Sequence, residues 1–185
     1  MPKAHKPRRF AKALLALALF VACRDNAAAP VRIVLGPAPV DEATLVPKAS
    51  LAELIEVSPN ETALLLTLSS VEQGCEGPPA AQGDALSVSV RLVLPNGAKL
   101  EPGTYPLLGP EQNLDKPHAA ATVQLHGRRR ELRAGGDVQL QQIDATAQGS
   151  LEGLLKLEFA GDAEQPATRV SGRFLAHFCR INRLR

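Results

Sequence analysis

From Thr62 onward the chain places apolar residues at every second position rather than every third or fourth, which is the period of a strand with one buried face. Leu86, Val88, Val90, Leu92 and Leu94 alternate with Ser87, Ser89, Arg91 and Val93, and the run stops at Pro95-Asn96-Gly97, where proline fixes φ and Asn-Gly accepts positive φ. Ala121, Val123 and Leu125 repeat the alternation, as do Val138 with Leu140, and Leu151, Gly153, Leu155, Leu157 and Phe159. A last strand sets Val170, Gly172, Phe174, Ala176 and Phe178 on one face against Ser171, Arg173, Leu175, His177 and Cys179 on the other. The continuous run Ala63-Leu64-Leu65-Leu66-Thr67-Leu68 reads as a buried strand, since Pro59 and Gly74 flank it too closely for a helix of normal length.

Strands at this spacing, with no helical segment able to cross over a parallel sheet, predict a mainly β, antiparallel fold of about seven to nine strands. A jelly-roll-like β-sandwich is the first expectation and a small barrel the second; either protects strand edges from pairing with other chains. At most one short helix is expected, at Ser50-Leu51-Ala52-Glu53, which has capping-box spacing ahead of Leu54 and Ile55. Residues 23–47 read as a Pro/Ala-rich tether, with prolines at 30, 37, 39 and 47, although Val31-Arg32-Ile33-Val34-Leu35 is apolar enough to be an edge strand. Residues 48–185 then form a single β-rich domain.

The N-terminus has a different character. Lys3, Lys6, Arg8, Arg9 and Lys12 precede the ten apolar residues from Ala13 to Ala22, and Cys23 follows. Ten apolar residues cover only about half of a bilayer's hydrocarbon core, so residues 1–22 are an export signal to be removed and not a membrane span. With those five cations set aside, sixteen Lys and Arg face nineteen Asp and Glu, so the overall charge of +2 becomes about −3 from residue 23 onward, which gives no reason to expect nucleic acid as a partner. Tryptophan is absent, and beyond the leader the aromatics are Tyr105, Phe159, Phe174 and Phe178, leaving Leu, Val and Ala to make the core.

Export changes the reading of the cysteines. Beyond Cys23 the chain has Cys75 and Cys179, and an exported pair is most simply a disulfide. The alternative is two separate buried thiols. A metal centre would need more ligands than the neighbours His177 and Cys179 supply, so neither metal nor cofactor is expected.

Catalytic motifs give little. The histidines past the leader, His118, His126 and His177, stand in no recognisable catalytic string, and no Gly-x-Ser-x-Gly, His-Glu-x-x-His or phosphate-binding glycine loop occurs. A site assembled across loops would have to draw on carboxylates such as Asp84, Glu101 or Asp137. Arg128, Arg129 and Arg130 with Arg133 form the one dense charge cluster, bracketed by Gly127 and Gly135-Gly136, and read as a short basic hairpin tip suited to anionic lipid or an acidic glycan, or simply as solvated arginines. Tyr105, between Thr104 and Pro106, reads as a packing corner rather than a ligand contact.

The string Phe20-Val21-Ala22-Cys23, after its basic and apolar leader, resembles the lipobox of bacterial lipoproteins. That resemblance covers residues 1–23. It implies diacylglycerol attachment to the Cys23 sulfur, cleavage after Ala22, and anchoring in a bilayer by several acyl chains, each buried CH₂ worth about 0.8 kcal/mol. Arg24 rather than Asp after the cysteine implies sorting to the outer membrane. Two function classes follow: a non-catalytic binding or structural module of the envelope with a protein or glycan partner, which is the expectation adopted, and a hydrolase or lyase acting on an envelope glycan or polymer.

Overall fold

The computed structural model describes residues 31–35, 41–75, 85–108, 114–125, 128–131, 135–161 and 167–182. Among these there is no helix, and eleven strands run through one sheet: β1 (Val31–Leu35), β2 (Asp41–Leu45), β3 (Ala49–Ser58), β4 (Glu61–Ser69), β5 (Ser87–Leu94), β6 (Gly103–Pro106), β7 (His118–Leu125), β8 (Arg128–Glu131), β9 (Gly136–Ile143), β10 (Ser150–Phe159) and β11 (Thr168–Asn182). Of the two architectures that alternation allows, the sheet takes the barrel.

The hydrogen-bonded order is β6-β9-β10-β11-β3-β4-β5-β7. The two ends of this path meet where Leu107, just past β6, pairs in parallel with Ala119 of β7 and the Leu108 N–H donates to the Ala119 carbonyl at 3.1 Å. Eight strands therefore curl into a nearly closed barrel, the size at which side chains just fill the interior. Outside this ring, β1 pairs with the first residues of β11 and with β2, while β8 pairs with the last four residues of β7.

Alternation maps directly onto inside and outside. Leu64, Leu66 and Leu68 of β4 lie opposite Leu92, Val90 and Val88 of β5, which in turn face Ala119, Ala121 and Val123 of β7, and every one of them is buried. The opposite wall is built by Val138 and Leu140 of β9, Leu151, Leu155, Leu157 and Phe159 of β10, and Val170, Phe174, Ala176 and Phe178 of β11. At about 25 cal/mol per Å² of apolar surface removed from water, this interior dominates the stability. No charged side chain is buried among the described residues.

Two expectations change. Residues 50–55 form the middle of β3, not a helix. Their capping-box spacing is overridden because β3 bonds on both sides, antiparallel to β4 and parallel to β11, and Ala52 joins the core. The segment expected to be mainly tether contributes β1 and β2, and Val31, Ile33 and Leu45 are fully buried, so among the described residues the sheet begins at Val31. β1 is bonded along both edges and is not an edge strand; that position belongs to β2.

The turn at Pro95-Asn96-Gly97 forms as its residues dictate. Asn96 and Gly97 have φ of 56° and 71°, and the Ala98 N–H donates to the Pro95 carbonyl at 3.0 Å. Gly153 has a packing reason instead. A Cβ there would stand 2.2 Å from the Gln139 carbonyl oxygen and 2.7 Å from Cζ of Phe174, so the absent side chain is what lets the Phe174 ring lie across β10. The pairing of β9 and β10 also shifts register beside it, between Glu152 and Gly153. Gly153→Ala is expected to destabilise the fold by about 1–3 kcal/mol, read as a lower urea midpoint at unchanged slope. Adding Phe174→Leu recovers only part of the loss, because the carbonyl conflict is backbone.

Candidate functional site

β11 is parallel to β3, and the register steps between Phe178 opposite Ala52 and Arg180 opposite Glu53, leaving Cys179 as the extra residue of a bulge. A bulge re-aims one side chain and interrupts the ladder locally. Cys179 is half-buried there and bonded to Cys75, with the two Cα atoms 5.1 Å apart and the two residues 104 positions apart in sequence.

Cys75 reaches that position because the chain leaving β4 is held by two serines. The Ser69 hydroxyl accepts from the Val71 N–H at 3.1 Å and from Nε2 of Gln73 at 3.2 Å. The Ser70 hydroxyl accepts from the Leu86 N–H at 3.0 Å, while its own N–H donates to the Leu86 carbonyl at 2.9 Å. Ser69 is fully buried. Neither serine has a sequence signature beyond standing at the end of an apolar run.

Among the described residues, the candidate catalytic groups do not converge. His118 opens β7, is buried, and donates from Nδ1 to the Lys116 carbonyl at 2.8 Å. Asp137 lies on β9 opposite Pro106, and Pro106 directly precedes the residue that pairs beside His118, so β6 separates the two. Two strand spacings are about 10 Å, beyond hydrogen-bond reach. Glu101 is exposed before β6, and its carbonyl and N–H serve Tyr105. His177 is exposed on the outer face of β11. His126, Asp84, Arg133 and Cys23 lie outside the described residues. Among the described residues no cluster of three or more His, Cys, Asp or Glu is placed to hold a metal ion.

Tyr105 forms the corner expected of it. Its ring is buried in the core, and its hydroxyl donates to the Glu101 carbonyl at 2.7 Å and accepts from the Glu101 N–H at 3.3 Å, tying down the chain that enters β6.

The basic cluster is placed differently from a loop tip. Arg128, Arg129 and Arg130 are consecutive residues of β8, opposite Leu125, Gln124 and Val123, so the connection itself is only His126-Gly127. The opposite end of the barrel is apolar in part. There the Gly97 N–H donates to the Asn60 carbonyl at 3.0 Å and Nδ2 of Asn96 to the Asp115 carbonyl at 3.2 Å, gathering three connections. Val57 and Leu114, 48% and 62% exposed, flank them.

No protein-family model, no curated protein and no solved structure matches this chain. Its geometry resolves into a disulfide on the outer wall, a basic strand at one end and exposed apolar side chains at the other.

Two substitutions test these roles. Replacing Cys75 and Cys179 together by Ser is expected to lower stability by up to about 4–5 kcal/mol through the unfolded chain, measured by urea unfolding of the oxidised protein against the double variant. Tyr105→Phe removes both corner bonds with the ring retained and is expected to cost about 1 kcal/mol in the same assay.

Proposed function

We propose that this chain is an exported, lipid-anchored module of the bacterial envelope that binds or braces a partner without catalysis. The observation carrying this reading is the Cys75–Cys179 disulfide in a chain that opens with a basic, apolar leader ending at Cys23. Thiols 104 residues apart in sequence that are joined in the fold belong to an oxidising compartment, and the leader is the route to one.

Absence of catalysis is the reading because His118, Asp137 and His177 stand on separate strands and the interior is apolar. A hydrolytic site needs acid, base and nucleophile within reach of one reacting atom. Binding fits the exposed Val57 and Leu114 at one end and the half-buried Leu51, Ile55, Leu65 and Val93 along the outside of β3, β4 and β5. These interleave with Arg91 and Glu61, whose ion pair of 3.7 Å is itself largely in water. A mixed apolar and charged wall of this kind suits a protein or a glycan surface. Lipidation at Cys23 and sorting to the outer membrane complete the proposal, and no cofactor enters it.

The test is the intact mass of protein purified from bacterial membranes, with and without reduction before thiol alkylation, beside a Cys23→Ser variant. The expected result is a mass starting at Cys23 and carrying acyl chains, two alkylated thiols only after reduction, and an unprocessed, unlipidated variant. A native mass without acyl chains contradicts the anchoring. Thiols alkylated without reduction contradict the compartment.

A further inference from the structure

We propose that the Cys75–Cys179 disulfide is a redox clasp: a dithiol opens it by attack at the Cys75 sulfur, and the segment Ser70–Cys75 then lifts from the outer face of β3 while the barrel stays closed. The inference rests on the bond in the fold and is independent of lipidation at Cys23.

The path of the chain carries it. β4 ends at Ser69, opposite Ala49 of β3. Cys75 is bonded to Cys179, which stands between the Phe178–Ala52 and Arg180–Glu53 pairings on the far side of β3. From β4 to β11 is two strand spacings, about 10 Å. β3 is bonded to both neighbours, so the chain cannot pass between strands, and the interior is filled with Leu, Val and Phe. The residues after Ser69 therefore cross β3 on its outside, as a strap.

Burial agrees with that path. Ala52, Leu66 and Leu68 face inward, which turns Ala49 and Ser69 outward, yet these two are only 6% and 0% exposed. The Ser69 hydroxyl lies under the strap and accepts from Val71 and Gln73. Outward positions of β10 and β11 such as Lys156, Glu158, Arg169 and Arg173 are exposed instead. The bonds of Ser69 and Ser70 hold the root of the strap, and the disulfide holds its far end. Glu72, Gly74 and Cys75 are exposed, so beyond the root little of the strap's own surface is buried, which places it at the low-stability end of the fold.

The chemistry follows from the two environments. Cys75 is exposed and Cys179 half-buried, so an incoming thiolate reaches the Cys75 sulfur first. Attack forms a mixed disulfide at Cys75 and expels Cys179 as a thiolate, which takes a proton from water. The second thiol of the dithiol then attacks the reductant's sulfur in the mixed disulfide, releasing Cys75 as a thiol and closing the reductant's own disulfide. Two electrons pass to the protein. The bond acts mainly on the unfolded chain, so opening it removes no contact of the interior.

The test uses purified oxidised protein under native conditions, with glutathione to trap the mixed disulfide and dithiothreitol to complete the reduction. Peptide mass spectrometry is expected to find the glutathione adduct on Cys75. Dithiothreitol is expected to speed cleavage after Glu72 by a Glu-specific protease on the order of tenfold, while cleavage after the exposed Glu101, outside the strap, changes little. Amides of β4 and β10 are expected to exchange far more slowly than those of the strap in the reduced protein. A variant with Cys75→Ser and Cys179→Ser is expected to be cleaved after Glu72 at the reduced protein's rate, with or without dithiothreitol. An adduct on Cys179, or a bond that dithiothreitol leaves intact in the native protein, overturns the assigned exchange. Cleavage after Glu72 at one rate before and after reduction overturns the release of the strap. Reduced protein in which β4 and β10 exchange as fast as the strap has lost its barrel, and that result overturns the clasp as well.

Discussion

The parallel pairing of β11 with β3 holds the rest of the structure together. β11 is fifteen residues long and bonds along both edges, to β10 on one side and to β1 and then β3 on the other. Without it, β3–β4–β5–β7 and β9–β10 are two partial sheets, each exposing an apolar face. With it they share one interior. The contact joins the chain's last strand to one of its first, so the loop-closure entropy is paid late and almost in full. The disulfide lies on this same seam, at the bulge where the β11–β3 register steps, and it shrinks the unfolded ensemble along the coordinate on which closure is most costly.

Strands that bury one face and wet the other were readable from the chain. β5, β10 and β11 keep strict alternation because each inward residue meets another inward residue across both neighbours, as Val90 does with Leu66 and Ala121. β4 was readable for the opposite reason. Its apolar run is broken only at Thr67, because Ala63 and Leu65 face outward with Ala63 paired between Ile55 and Val93. β2 and β8 were not readable. Asp41–Leu45 and Arg128–Glu131 carry no alternation, and they are strands because β1 and β7 offer open edges to a chain that has just turned back. β3 was obscured by a local spacing that suits a helix start, and only the two neighbouring strands outweigh it. The parallel seam itself has no local signature, since which strand edges remain open is known only once every antiparallel pair is formed.

The site divides in the same way. Cys75 with Cys179 followed from the cysteine count and from the expectation that the leader is an export signal. Ser69 and Ser70, which hold the chain so that Cys75 meets the seam, are ordinary serines until the Leu86 backbone is placed beside them. His118 shows the converse. Its residue type drew attention, yet the fold satisfies Nδ1 on a carbonyl two residues away and puts a strand between the ring and Asp137. A barrel packed with Leu, Val and Phe leaves recognition to its wall and its two ends.

Amide hydrogen exchange on the oxidised protein and on protein reduced under native conditions tests the closure argument most directly. If the β11–β3 seam is what all the other strands depend on, then exchange in β3, β4, β10 and the β3-paired part of β11 converges on one opening free energy when oxidised, and reduction lowers that shared value in all four together. Exchange from β11 or β3 at a markedly lower free energy than β4 and β10, in oxidised protein, would mean that the seam opens while the rest of the barrel stands, and would contradict the account.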